Sequence, residues 1–404
     1  MSWKETCPMS ERKLFVDEAL RRQRTMDQLC QAYGISRKTG YKWLERYRQG
    51  GEPALADRSH ARLHQEHAVG AEVIGQLLQL KRRHCHWGPA MLRECLLRSA
   101  PDRAWPAVST IGEVLKRHGL VKTRARRRRL VPSTGTDLVQ AYAPNVLWCT
   151  DFKGQFRTGD QRYCYPLTLT DAYSRYLLAC RGLDATSTQL VRPWMERAFR
   201  QYGLPLVIRS DNGSPFASAG LAGLSRLSVW WIKLGITPER IAPGKPQQNG
   251  RHERMHRTLK QETTQPPASH LRAQQRLFDA FVAEFNHDRP HAALQMRSPA
   301  HLYQASARPY PRRLVPIEYP SGFEVRQVRS NGDIKFLGQH LYLTEALIGE
   351  SVGLQRIGEQ AWQIHFSFLP IAILDASTMH LRSAAPIKPL QGDGGAAPPM
   401  PPAC

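Results

Sequence analysis

No uninterrupted apolar run in this sequence approaches the ~20 residues needed to cross a bilayer, and Met1 to Met9 has no apolar segment behind its single lysine. A helical membrane protein and a secretory leader are therefore excluded, and a soluble, cytoplasmic, nucleoid-associated chain is expected. Paired cysteines are also lacking. The eight that exist (Cys7, Cys30, Cys85, Cys95, Cys149, Cys164, Cys180, Cys404) are scattered with no C-x-x-C pair, which reads as reduced thiols. The tightest group, His84-Cys85-His86 with Cys95 beyond it, does not have the paired spacing of a structural zinc site. With 41 % hydrophobic residues over 404 positions, wholesale disorder is excluded as well, and roughly two to four domains are expected.

Acid is scarce relative to base. There are 34 Asp and Glu against 57 Lys and Arg, a net charge of +23, which calls for a polyanionic partner, nucleic acid before an anionic membrane. The excess is front-loaded: residues 1–136 hold 27 basic and 13 acidic side chains, residues 137–300 hold 21 and 13, and residues 301–404 hold 9 and 8.

Residues 1–51 predict a helix-turn-helix domain of three helices, Glu11–Arg22, Thr25–Tyr33 and Ser36–Arg48. Thr25 and Gln28 have capping-box spacing, Gly34 suits a left-handed turn, Ser36 suits an N-cap, and Gly50-Gly51 ends the third helix. On that helix Gly40, Trp43, Leu44 and Tyr47 share an inward face, leaving Arg37, Lys38, Tyr41 and Lys42 as candidates to enter a major groove; an ordinary three-helix bundle with a solvated basic face is the plainer alternative. Residues 66–121 predict a second helical, helix-turn-helix-like domain, with a capping box at Thr110 and Glu113. The basic linker 122–136 includes Arg126, Arg127, Arg128 and Arg129, a block suited to tracking phosphates.

Between 137 and 305 strands alternate with helices. Strands are predicted at 146–156, 162–170, 175–182 and 206–210, with a short one near 240–241, and helices at 187–202, 221–234, 251–262 and 269–285. That pattern makes an α/β mixed sheet. Residues 310–382 are rich in short strands, with Asn331-Gly332 as a hairpin signal, and predict a small all-β, barrel-like domain. Residues 383–404 read as a disordered tail.

Three acids stand out in the α/β block. Asp151 lies in the first strand, Asp211 ends the strand 206–210, and Glu253 begins a helix. Carboxylates from such elements can converge, and hard oxygen ligands suit Mg²⁺ shared with substrate phosphates. Two such ions ~3.5–4 Å apart could activate the attacking oxygen and stabilise the leaving oxygen of a phosphodiester. Taken singly, each acid has a bland explanation, as turn chemistry or as a helical ion pair. Glu253, His256, Arg257 and Lys260 fall at i, i+3, i+4 and i+7, so one helix face is expected to carry the acid and then cations that seat DNA.

Five segments in order resemble the DDE transposases of bacterial insertion sequences, whose core is similar to retroviral integrases. They are Leu147-Trp-Cys-Thr-Asp151-Phe, Thr170-Asp-Ala-Tyr-Ser-Arg-Tyr176, Arg209-Ser-Asp211-Asn-Gly-Ser, the stretch Pro246 to Lys260, and Phe285 to Leu294 followed by Ser298-Pro. The resemblance implies a ribonuclease H-like fold and Asp151, Asp211 and Glu253 as a catalytic triad binding two Mg²⁺ ions, with Mn²⁺ as a substitute. It also implies DNA contacts at Lys245, Gln248, Asn249 and Lys260. Asp171, though within a matching segment, reads as structural. The 41 residues between Asp211 and Glu253 exceed the family's spacing of about 35, placing a small insertion near Ala217–Gly223.

The expectation is a transposase that binds the inverted repeats of its element, cleaves and joins double-stranded DNA, and works as a homodimer or larger synaptic assembly. A DNA-binding regulator on an inert scaffold, and a nuclease that cuts without joining, are the alternatives. A membrane-surface role is the weakest, because no basic helix has a broad apolar face.

Overall fold

The computed structural model describes residues 7–57, 69–121 and 138–384. Arg126 to Arg129, with the whole of the expected linker 122–136, lie outside the described residues, as does the tail from residue 385. Among the described residues no helix is long and apolar enough to cross a membrane. Residues 1–70 and 71–404 form two compact units.

In the first unit α1 (Pro8–Arg21), α2 (Met26–Ala32) and α3 (Arg37–Gly50) enclose Phe15, Val16, Leu29, Cys30, Trp43 and Leu44. Their ends form as the sequence dictates. Thr25 and Gln28 make the reciprocal capping box, the Ser36 hydroxyl accepts from the Thr39 N–H (3.2 Å), and Gly34 turns between α2 and α3 at φ +61°. Arg37, Lys38, Tyr41 and Lys42 are all exposed on α3. Gly40 is there for space: a Cβ on it would stand 2.6 Å from Cys30 Sγ and 2.9 Å from the Phe15 ring. Gly40→Ala should therefore lower the melting temperature, since overpacking two buried side chains costs about 1–3 kcal/mol and outweighs the ~1 kcal/mol gain in helix propensity. A thermal melt with unchanged or raised midpoint would contradict this packing.

The second unit begins with α4 (Ala71–Arg83), α5 (Pro89–Ser99) and α6 (Val108–Arg117), packed around Leu77, Trp87, Leu92 and Ile111. The capping box expected at Thr110 does not form. Ala107 is the N-cap and its carbonyl already accepts from the Ile111 N–H (3.0 Å), so Thr110 lies inside the first turn. His84, from the candidate His/Cys group, stacks on Trp87 and pairs with Glu284 at 3.1 Å.

The α/β core contains β1 (Leu147–Phe152), β2 (Phe156–Arg157), β3 (Tyr163–Asp171), β4 (Leu177–Leu183), α7 (Thr188–Tyr202), β5 (Val207–Ser210), α8 (Arg226–Lys233), β6 (Thr237–Arg240), α9 (Gly250–Thr263) and α10 (Leu271–Ala283). The sheet runs β2-β3-β1-β5-β6, with β4 on β3. β1, β3 and β4 are antiparallel, whereas β5 and β6 join in parallel after helical crossovers. Trp148 and Ile208 on the sheet bury against Phe199 of α7 and Trp231 of α8. Two expected elements are broken. The first strand splits into β1 and β2, and the helix expected over 221–234 starts only at Arg226. Positive φ at Ala222 and Gly223 and a Ser225–Ser228 capping box reset the chain there.

The C-terminal strands are β7 (Phe323–Gln327), β8 (Asp333–Phe336), β9 (Gln339–Tyr342), β10 (Ser351–Arg356), β11 (Ala361–Phe366), β12 (Leu369–Asp375) and β13 (His380–Ser383). They form an antiparallel sheet β13-β12-β11-β10-β7 and a β8–β9 hairpin. That hairpin turns at Leu337 and Gly338, both at positive φ, rather than at Asn331-Gly332, which instead turns the chain from β7 into β8. Ser383 belongs to β13 and not to a tail. Leu227, Trp230 and Trp231 of α8 face the α/β core, while Val229 and Ile232, with Leu224, belong to the apolar cluster of the β domain. Lys233 at the end of α8 pairs with Glu350 at 2.7 Å.

Candidate active site

Strand register sets the two aspartates side by side. β1 and β5 pair in parallel with Cys149 opposite Arg209, and two residues further along each chain come Asp151 and Asp211. Glu253 follows on the first turn of α9. Burial raises the Asp151 carboxyl to about 7, and the negative charges of Asp211 and Glu253 push the same way, against the Phe152 N–H. Burial also raises Asp211, whose Oδ1 is buried without a hydrogen-bond partner. The turn after it needs glycine, because a Cβ on Gly213 would stand 2.9 Å from Asp211 Oδ2. Glu253 is exposed.

Beneath Asp151 lies a polar cluster that the sequence reading missed. His252 and His256, one helical turn apart on α9, both reach the Thr168 hydroxyl on β3, at 2.7 and 2.6 Å. Thr168 Oγ1 also donates to the Asp151 carbonyl (3.0 Å), and the other ring nitrogen of His252 meets the Thr170 hydroxyl at 2.8 Å. His256 Nδ1 faces Asp151 Oδ2 at 3.8 Å. Burial drives His252 down to about 3 and His256 down to about 2, so both rings are neutral. His256 is accordingly not a cation on an exposed DNA-facing stripe. At 5 % exposure it sits on the inner face of α9 with Met255 and Leu259, because a three-residue step from Glu253 turns it towards the sheet. The cue in the sequence was the i, i+4 pair His252/His256, opposite a strand bearing threonines at alternate positions.

The expected DNA contacts divide. Lys245 and Lys260 are exposed, as is Arg257. Gln248 braces the turn into α9, because backbone groups of that loop need partners. Gln248 Oε1 accepts from the Ala242 N–H (2.7 Å), and Asn249 is buried to 5 % exposure with Oδ1 unpartnered. Asp171 is structural as expected: fully buried, it accepts from the Asn145 N–H (2.8 Å), the Ser174 N–H (2.7 Å) and the Ser174 hydroxyl (2.6 Å).

A buried ion pair holds the same end of the sheet. Arg209 Nε lies 2.7 Å from Glu239 on the neighbouring strand, with side chains only 10 % and 12 % exposed. The pair also clamps Val139: its carbonyl accepts from Arg209 (2.7 Å) and its N–H donates to Glu239 (2.8 Å).

Residues 141–246 match the integrase core domain family, residues 234–299 match a second integrase core domain family, and residues 7–83 match the family of the leucine-zipper of insertion element IS481. The chain is 34 % identical over 121 residues to the Pol polyprotein of feline endogenous virus ECE1, covering 30 % of this chain and 11 % of that protein. It is 28 % identical over 187 residues to the insertion element IS407 uncharacterized 31.7 kDa protein of Burkholderia multivorans, covering 45 % of this chain and 64 % of that protein. Among solved structures, the HTLV-2 integrase catalytic core domain in complex with magnesium is 14 % identical, with a TM-score of 0.33 over 41 % of this chain and 100 % of that one. The chain thus spans between 11 % and 64 % of the length of these two relatives. With integrase core matches running from residue 141 to 299 and an insertion-element family matched at the front, the chain carries an integrase-type core and is similar to the transposases of bacterial insertion sequences.

Proposed function

We propose that this protein binds the terminal inverted repeats of its mobile element and catalyses metal-dependent DNA cleavage and strand transfer. The observation that carries the reading is the pair of half-buried acids at the ends of β1 and β5: burial, with the charges of Asp211 and Glu253 adding to it, raises Asp151, and an Asp211 oxygen is buried without a partner. Like charges gathered this way favour a bound cation, and an all-oxygen set suits Mg²⁺. Asp151, Asp211 and Glu253 would hold two Mg²⁺ ions, with Mn²⁺ as a substitute, and the ions would supply Lewis-acid activation of water and then of a 3′-OH at the phosphodiester.

The rest of the chain binds and orients. Exposed Lys245 and Lys260, on either side of Glu253 in the sequence, take phosphates of the DNA end. In the first unit α2 and α3 act as a helix-turn-helix whose exposed Arg37, Lys38, Tyr41 and Lys42 read the repeat, while Arg126 to Arg129 track phosphates without reading sequence. Two DNA ends must be held together, so the active form is a homodimer or larger synaptic assembly.

The test is a strand-transfer assay with a labelled duplex of the element's end, supercoiled plasmid, and Mg²⁺ or EDTA. Joined products should require Mg²⁺ and vanish in Glu253→Gln. Binding without cutting or joining would favour a regulator on an inert scaffold, and cutting without joining would favour a nuclease.

A further inference from the structure

We propose that His256 is a further metal ligand beside Asp151, through its bare Nδ1, making that position a mixed nitrogen–oxygen site that binds Zn²⁺, Co²⁺ or Mn²⁺ more tightly than Mg²⁺. The inference rests on the transposase reading only in treating Asp151 as a metal ligand.

A proton count over the cluster leads to it. Thr168 Oγ1 has one proton and three polar neighbours within 3.0 Å: the Asp151 carbonyl and the Nε2 atoms of His252 and His256. A carbonyl can only accept, so the hydroxyl proton goes to Asp151, and both Nε2 atoms must then carry protons and donate to the two lone pairs of Oγ1. His252 Nδ1 is left as an acceptor and is met by the Thr170 hydroxyl (2.8 Å). Every group is satisfied except one. His256 Nδ1 keeps its lone pair and points it at another acceptor, Asp151 Oδ2, 3.8 Å away.

The opposite tautomer is worse. It would set a bare Nε2 against the lone pairs of Thr168 Oγ1 at 2.6 Å, a close contact with no proton in it. Two acceptors facing across a short gap are instead what a cation bridges. Ligand atoms about 2.1 Å from one ion stand roughly 3.0 Å apart at a right angle and roughly 3.4 Å apart in a tetrahedron, so closure by a few tenths of an ångström is sufficient. Burial keeps the ring neutral, as ligation requires.

Asp151, His252 and His256 each bring one ligand atom within 4.8 Å of the others, but their parts differ. Both nitrogens of His252 are already taken by threonines, so His252 is a positioning residue that orients Thr168 and through it His256. An imidazole ligand shifts preference along the order in which Zn²⁺ and Co²⁺ bind more tightly than Mn²⁺, and all three accept nitrogen more readily than Mg²⁺ does.

The experiment is pulsed electron paramagnetic resonance on the full-length chain, labelled with nitrogen-15 histidine and loaded with Mn²⁺, beside Zn²⁺ affinity by chelator competition. One directly bonded nitrogen should couple to Mn²⁺ in the wild type, disappear in His256→Asn and persist in His252→Gln. Zn²⁺ affinity should fall at least about tenfold in His256→Asn, with Mg²⁺ affinity nearly unchanged. Bound Mn²⁺ without nitrogen coupling would overturn the inference and leave the carboxylate site standing. Coupling that survives in His256→Asn and is lost in His252→Gln would overturn the assignment to His256. Failure of the wild type to bind Mn²⁺ any better than Asp151→Asn would overturn both readings together.

Discussion

Asp151→Asn is expected to abolish DNA joining and, at the same time, to raise the melting temperature of the metal-free protein. The first effect follows from the proposed function, in which Asp151 would be a ligand of the reacting centre: losing several kcal/mol of transition-state stabilisation slows joining by about a thousandfold or more. The second follows from the electrostatics. In the unfolded chain this carboxyl titrates near its ordinary 3.8, but in the fold near 7. Between those values the folded state holds a proton that the unfolded state has lost, so stability in EDTA falls as pH rises from about 4 to about 7 and stays low above that.

A shift of about three units corresponds to roughly 4 kcal/mol at most, and partial solvent exposure of the side chain reduces the expected cost to about 2 kcal/mol. An amide carries no charge, so the variant should lose this slope and melt higher at pH 8. Melts in EDTA at pH 5 and pH 8 would read it out. A variant that melts lower than wild type at pH 8 would mean that burial and the neighbouring acids do not penalise the Asp151 charge.

The second large effect belongs to the Arg209–Glu239 pair. Glu239→Ala should destabilise the second unit by about 3–5 kcal/mol, because it strands a guanidinium that is only 10 % exposed. Arg209 would keep its hydrogen bonds to the Val139 and Gln248 carbonyls but no counter-charge. Replacing both partners with apolar residues, Arg209→Met with Glu239→Leu, should recover most of the loss, since the cost comes from the unpaired charge. Denaturant titrations of the single and double variants decide it. A double variant as unstable as Glu239→Ala would show that the hydrogen bonds to Val139 outweigh the charge.

What the sequence displayed and what it hid follow from the range of the forces involved. Helix ends in the first unit were legible because Thr25, Ser36 and Gly34 act on neighbours within three residues. The placing of Asp151 in β1, Asp211 just after β5 and Glu253 in the first turn of α9 was legible from the strand and helix pattern. His256 was misread because exposure was inferred from its spacing to Glu253, while its burial depends on Thr168, 88 residues away. The part Gln248 plays in its own loop was not legible either, since it depends on the Ala242 N–H meeting its side-chain oxygen. Pro370 speaks against a strand over 369–375, yet it is tolerated in β12 because the β11–β12 register shifts beside it. The longer interval between Asp211 and Glu253 was noticed, but not its use: Leu221, Ala222 and Leu224 pack into the apolar cluster of the β domain.

That shared seam bears on how the chain comes off the ribosome. α8 is apolar on both sides, and its second side joins an apolar cluster whose later members run from Val328 to Leu374. All three acids have been synthesised by residue 253, yet the cluster that takes in Val229 and Ile232 is not complete until Leu374. A copy of the gene interrupted in that interval would encode every acid of the site and a sticky, half-finished helix beside it. Its product is fitted for clearance by proteases.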